Sequence, residues 1–194
     1  MAVEAGADAL GFVLFRGSPR YISPDQAAAI IHRLPPFVQT VGLFVNEELA
    51  TVNSVADRCG LDLVQLHGEE PPGYCAAVKR RIIKAFRVRD ASSLEGMSDY
   101  PVAACLLDAW SQAAHGGTGT TFNWEIAARA AASRCIILAG GLTPENVAAA
   151  VATVNPYAVD VSSGVESSPG KKNHTLVRAF VNAARQSSGN SQDY

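Results

Sequence analysis

Short runs of β-branched and other apolar residues recur along the chain, each followed by a stretch with helical spacing. The runs predict strands at Leu10–Phe15 (LGFVLF), Val41–Val45 (VGLFV), Leu61–Leu66 (LDLVQL), Ile82–Phe86 (IIKAF), Val102–Leu107 (VAACLL), Ile136–Ala139 (IILA) and Ala158–Val161 (AVDV). Several are apolar on both faces, as parallel strands covered on both sides are. Helix starts are marked by Ser23-Pro24-Asp25, Asn46-Glu47-Glu48, Asn123-Trp124-Glu125 and Thr143-Pro144-Glu145. Each puts a capping residue or a proline ahead of an Ala/Val/Ile-rich stretch, with acids in the first turn. Strict alternation of strand and helix predicts a parallel α/β fold.

No linker, low-complexity block or shift in composition divides the sequence. Residues 1–186 therefore read as one domain, and 187–194 (SSGNSQDY) as a polar C-terminal tail. The segment Met1–Ala5 reads as the last turn of a helix, stopped by Gly6 ahead of the first strand. An eight-unit (β/α) barrel usually takes roughly 200 residues or more. Here the count is short by one strand and most of one helix. The expected fold is a (β/α)8 TIM barrel with its first βα unit missing from this chain. A doubly wound open sheet is the competing reading, but no G-x-G-x-x-G opens a helix.

Composition narrows the function classes. The chain has 194 residues, 48% of them hydrophobic and 18% charged. That charge lies below the usual share of about a quarter and suits a layered protein with a buried sheet. A formal charge of −2 and a pI near 6.1 give no basic footprint for nucleic acid or an anionic membrane. No apolar run is long enough to span a bilayer, and the start lacks a basic region followed by an apolar one. Cys59, Cys75, Cys105 and Cys135 lie far apart, without CxxC or a Cys/His cluster at metal spacing. No metal site is expected. Cys105 and Cys135 sit in apolar stretches and read as small buried thiols. The expectation is a soluble, reduced, cytoplasmic protein.

Polar and glycine-rich features gather where the strands end, the side on which barrels of this kind carry function. After the first strand comes Arg16–Tyr21 (RGSPRY), and the third ends in Gln65 and His67. Asp108 ends the fifth, ahead of Gly116–Gly119 (GGTG); Gly140-Gly141 and Ser162-Ser163-Gly164 follow the last two. Asp108 reads either as a turn or N-cap aspartate or as a general acid. Gln65 and His67 share strand parity, so both can face the barrel mouth; each can equally be a satisfied polar residue. The glycine pair and the serine loop suit a phosphate, since glycine lets the backbone approach and serine adds donors. Two turn glycines are the bland alternative. Arg20 has the fork that fits a carboxylate, or is a surface arginine. The GGTG loop reads as a mobile lid or as a flexible linker.

These residues resemble the phosphoribosylanthranilate isomerase family of tryptophan biosynthesis. The likeness rests on GADALGFVLF (Gly6–Phe15), SPRYISP (Ser18–Pro24), VGLFVNEE (Val41–Glu48), VQLHGEE (Val64–Glu70), LLDA (Leu106–Ala109), GGTGTTFNW (Gly116–Trp124), LAGGLTPENV (Leu138–Val147), AVDVSSGVE (Ala158–Glu166) and PGKK (Pro169–Lys172), in order over nearly the whole chain. It implies a cofactor-free Amadori rearrangement of N-(5-phosphoribosyl)anthranilate to 1-(2-carboxyphenylamino)-1-deoxyribulose 5-phosphate. By the resemblance, Asp108 protonates the ring oxygen and Arg20 binds the anthranilate carboxylate. Gln65, His67 and Asp160 would contact substrate. Gly117, Gly119, Gly140, Gly141, Ser162, Ser163 and Gly164 would hold the phosphate. The implied partner is that small phosphosugar-anthranilate, with no nucleic acid or membrane, on a monomer or a homodimer.

The sequence departs from the family pattern in three respects. Its general base is a cysteine in a Lys-Ile-Cys-Gly motif on the first strand, and none of the four cysteines here stands in one. Thr120 replaces the usual lysine and Asn123 the usual aspartate in GGTGTTFNW, while Asn173 replaces a frequent aspartate as a change of helix cap. The missing base supports an alternative, a non-catalytic remnant that binds phosphosugars or pairs with another subunit. An indole-glycerol-phosphate synthase would share barrel and phosphate loops, but its lysine pattern does not occur.

Overall fold

A computed structural model describes residues 1–109 and 123–188. The chain forms two compact units, one of Ala7–Ala85 and Gly96–Ala103, the other of Met1–Gly6, Phe86–Glu95 and Ala104–Tyr194. Within each unit the strands lie in chain order, as successive βα units lay them down. The predicted α/β class is the observed one.

In the first unit, β1 (Ala9–Val13), β2 (Gln39–Phe44), β3 (Leu63–Leu66) and the start of β4 (Arg81–Val88) pair in parallel, with Gly11 opposite Val41, Val41 opposite Leu63, and Leu63 opposite Arg81. Helices α1 (Pro24–Ile31), α2 (Leu49–Cys59) and α3 (Pro72–Ala77) connect them. Phe12, Phe44, Val64, Leu66 and Ile82 of the strands share a buried core with Ala27, Val52, Ala56 and Cys75 of the helices. Full burial of each large apolar side chain contributes about 1.5–3 kcal/mol. Ser23 caps α1 as a capping box: its hydroxyl accepts the Gln26 N–H at 3.3 Å, and its own N–H donates to the Gln26 side chain.

The second unit carries β5 (Ala104–Ala109), β6 (Ile136–Leu138) and β7 (Ala158–Val159), parallel, with Cys105 opposite Ile136 and Ile137 opposite Ala158. Helix α4 (Trp124–Ala131) packs on α5 (Val147–Val154), and α5 on α6 (His174–Ser188). The Asn123 side chain accepts the Glu125 N–H at 2.9 Å and caps α4. Asn173 does the same for the N–H groups of Thr175 and Leu176. Both asparagines thus keep a cap's acceptor. Residues Met1–Ala5 make one helical turn, closed by Ala5 N–H to Met1 C=O at 3.0 Å, and Gly6 follows at φ +96°.

Several expectations need correction. Strict alternation fails after β4, where two short 3-10 turns, Ala91–Leu94 and Met97–Asp99, stand in place of a helix. There the Asp90 carboxylate accepts the Ser92 N–H, the Ser93 hydroxyl accepts the N–H of Asp90, and Gly96 sits at φ +72°; these local bonds outcompete a helix. An antiparallel hairpin, β8 (Glu166–Ser168) and β9 (Lys171–Lys172), precedes α6 and was not foreseen. Two helices start later than their signals: α2 after Glu48, because Asn46 is left-handed at φ +49°, and α5 after Asn146. β7 stops at Val159, although Asp160 still donates its N–H to Leu138 C=O. Among the described residues, no helix is long and apolar enough to cross a membrane.

Candidate active site

In the first unit the loop after β1 folds back on itself. The Ser18 hydroxyl accepts the Arg20 N–H at 3.1 Å, Ile22 N–H returns to Val13 C=O, and the Arg16 guanidinium lies 5.3 Å from the centre of the Tyr21 ring. These contacts set Arg20, half-buried, beyond the carboxyl end of β1. At the end of β3, Gln65 is 8% exposed and its amide nitrogen stands 3.1 Å from Nδ1 of half-buried His67. An amide nitrogen only donates, so Nδ1 is the acceptor of this contact. The shared parity read from the sequence brings these two side chains together.

Glu70 and Lys84, 4% and 3% exposed, form a buried ion pair of 3.2 Å behind this strand end. Neither was a candidate in the sequence reading. Burial first, and then the Glu70 charge, pushes the Tyr74 phenol above its ordinary value. The Cys75 thiol is likewise raised by burial, opposed by Lys84 and reinforced by Glu70.

In the second unit Asp108 is half-buried near the end of β5. Gly140 lies against it at φ +77°: a Cβ there would strike the Ala109 backbone nitrogen and come within 2.7 Å of Asp108 Oδ1. Gly141 is also left-handed, at φ +67°. Its carbonyl accepts the Asn146 amide at 2.9 Å, while the Asn146 oxygen accepts the Thr143 N–H at 2.8 Å. Asn146 therefore clasps the glycine loop, a role its place in the motif did not announce. The Ser162-Ser163-Gly164 loop makes a 3-10 turn over Ser163–Val165. A Cβ on Gly164 would run into the Leu142 carbonyl oxygen, so the loops after β6 and β7 lie in contact. Lys172 ties the serine loop down, donating to Ser162 C=O at 2.9 Å and to Glu166 at 3.0 Å.

Asp108, the glycine pair and the serine loop are thus gathered in one unit, with exposed Asp160 beyond β7; Arg20, Gln65 and His67 belong to the other. Gly117, Gly119, Thr120 and the loop read as a lid lie outside the described residues. Among the described residues, no group of three or more His, Cys, Asp or Glu side chains could hold a metal ion.

The model of the N-(5'-phosphoribosyl)anthranilate (PRA) isomerase family matches residues 1–183. The chain belongs to this family. It is 65% identical to the N-(5'-phosphoribosyl)anthranilate isomerase of Pelobacter propionicus over 186 residues, 96% of this chain and 89% of that protein. Phosphoribosyl anthranilate isomerase from Thermotoga maritima superimposes with a TM-score of 0.89 at 43% identity, over 95% of this chain and 91% of that one. A second solved isomerase, in complex with reduced 1-(o-carboxyphenylamino)-1-deoxyribulose 5-phosphate, gives 0.85 at 42% identity with the same coverage. Among the described residues, the PRA isomerase motifs fall chiefly on strand ends and the loops that follow them.

Proposed function

We propose that this chain catalyses the isomerisation of N-(5-phosphoribosyl)anthranilate to 1-(2-carboxyphenylamino)-1-deoxyribulose 5-phosphate in tryptophan biosynthesis. The family match over residues 1–183 carries the reading. The rearrangement is internally balanced. A proton goes to the ribose ring oxygen, the C1–O bond breaks to leave a C1=N iminium, and a base removes the C2 proton to give an enolamine. C1 then takes up a proton as the C2 hydroxyl loses one, so C1 ends reduced and C2 oxidised as a ketone. Asp108 is assigned the first proton. Its half-buried place at a strand end, against a glycine that leaves room for no side chain, supports that role.

Arg20 is assigned the anthranilate carboxylate, with Gln65, His67 and Asp160 as further substrate contacts. The phosphate is assigned to Gly140, Gly141, Ser162, Ser163 and Gly164, supported by the contact between their two loops, and to Gly117 and Gly119. The finer reading of the fold is proposed with these roles: a (β/α)8 barrel whose first βα unit, carrying the Lys-Ile-Cys-Gly base, is not among the residues of this sequence. The domain is read as residues 1–186, acting in the cytoplasm as a monomer or a homodimer.

Two measurements test this reading. The reduced product should bind the chain by calorimetry, and a protein with a Lys-Ile-Cys-Gly strand restored ahead of it should turn over substrate faster by about 10² to 10⁴, the worth of a general base. Failure of both proteins to bind or turn over would overturn the function. Turnover of the two within about tenfold would overturn the missing unit alone.

A further inference from the structure

The buried Lys84–Glu70 pair lies outside the roles assigned so far, yet it touches the backbone on both sides of His67. The Glu70 carboxylate accepts the Gly68 N–H, with 3.0 Å to Oε2, and the Asn46 N–H at 2.8 Å. Lys84 Nζ donates to Gly68 C=O at 2.7 Å, Leu66 C=O at 3.4 Å and Ala85 C=O at 3.1 Å, besides Glu70. His67 itself donates its N–H to Phe44 C=O at 2.9 Å. The peptide groups before and after His67 are therefore held by one ion pair that is removed from water.

Two backbone features serve the same arrangement. Asn46 is left-handed at φ +49°, and its side-chain oxygen accepts the Glu69 N–H at 2.7 Å. A Cβ on Gly68 would strike that Asn46 side chain and approach its backbone nitrogen to 2.8 Å. The loop after β2 and the loop after β3 are thus drawn together around the Glu70 carboxylate, and Lys84 of β4 closes the set.

The geometry points to Lys84 and Glu70 as positioning residues that fix the direction of the His67 imidazole, and with it the Gln65 amide, toward the substrate. An ion pair buried this deeply is not a general source of stability, because desolvation offsets its attraction; what it gives is a single arrangement of the groups around it. This inference rests on the substrate-contact role proposed for His67. It adds that the orientation is set by a carboxylate three residues later and an ammonium on the next strand.

The test compares two double variants with the full chain. Lys84→Met/Glu70→Leu removes both charges and the carboxylate acceptor. Lys84→Met/Glu70→Gln also removes both charges but keeps a side-chain oxygen for the N–H groups of Asn46 and Gly68. Three quantities are read: affinity for the reduced product, melting temperature, and the imidazole nitrogen signals of His67 by NMR.

The leucine pair should melt below the parent, since it leaves the Asn46 and Gly68 N–H groups without their acceptor, and it should shift or broaden the His67 signals and bind about tenfold or more weakly. The glutamine pair should recover most of both. Should the leucine pair not fold, Lys84→Arg takes its place, since a planar fork cannot reproduce the ammonium's contacts. It too should move the His67 signals and weaken binding. Parent-like affinity and parent-like His67 signals in a folded charge-free or arginine variant would overturn the inference. If the parent does not bind the reduced product, the functional reading falls, and the His67 signals alone then decide whether the pair positions the ring.

Discussion

Asp108 and Asn146 show how much a single side chain here depends on its neighbours. Asp108 ends an apolar strand, and its oxygen lies where Gly140 has no Cβ to fill the space. Asn146 was only a letter in a motif, yet both ends of its amide hold the glycine loop. If Asp108 donates the first proton, Asp108→Asn keeps the volume and loses the transferable proton. Turnover should then drop by at least about 10²-fold, or roughly 3 kcal/mol of barrier. Affinity for the reduced product should change little. Turnover equal to that of the parent, measured under saturating substrate, would remove Asp108 from the mechanism.

Sequence pattern reported the position of Asp108, Gln65 and His67 well, because strand parity and an apolar run end are local properties. It did not report Lys84 and Glu70. A lysine in IIKAF reads only as a polar interruption, and its partner lies 14 residues earlier in a loop. That such a pair is buried emerges only when the chain after β3 turns back over the strand end. Asn46 was hidden for the same reason: VNEE reads as a helix start, while the left-handed turn at Asn46 is set by contacts with Gly68 and Glu69.

At the scale of elements, strands were legible as apolar runs and their edges less so, since side-chain bonds decide the edges. Leu61–Leu66 shortens to Leu63–Leu66 because Asp62 is taken up by β2: its carboxylate accepts both the N–H and the hydroxyl of Thr40 at 2.8 Å. Between β4 and β5 alternation predicted a helix, and the segment forms two 3-10 turns instead. The loops after β6 and β7 were read as phosphate cradles for the freedom of their glycines. The structure adds a steric reason for Gly164, whose missing side chain is what lets the serine loop rest on Leu142 C=O.

Gly164→Ala should therefore push the two loops apart while leaving β6 and β7 in their ladder. Affinity for inorganic phosphate and for the reduced product should fall together, by about tenfold or more if about 1.4 kcal/mol of contact is lost. Binding of an anthranilate without the phosphosugar should not change. Undiminished phosphate affinity in a folded variant would place the phosphate elsewhere.

For the whole molecule, the path of the chain argues for one cooperative domain. Passage between the two units occurs after Gly6, Ala85, Glu95 and Ala103, and the second of these points lies inside β4. Independent domains are normally joined at exposed linkers that few contacts cross, and a boundary within a strand is of the opposite kind. The first unit is built from two separate pieces of sequence and the second from three. A unit assembled from separated pieces of sequence gains its full burial only when all of its pieces are in place, against the entropy cost of ordering them. Thermal unfolding should accordingly be a single transition, with an enthalpy on the order of 0.7 kcal/mol per residue and equal calorimetric and van't Hoff values. Saturating reduced product should move that one transition upward as a whole, by linkage. Two resolved transitions, or a shift confined to one part of a broadened curve, would show that residues 1–186 do not unfold as the single domain read from the sequence.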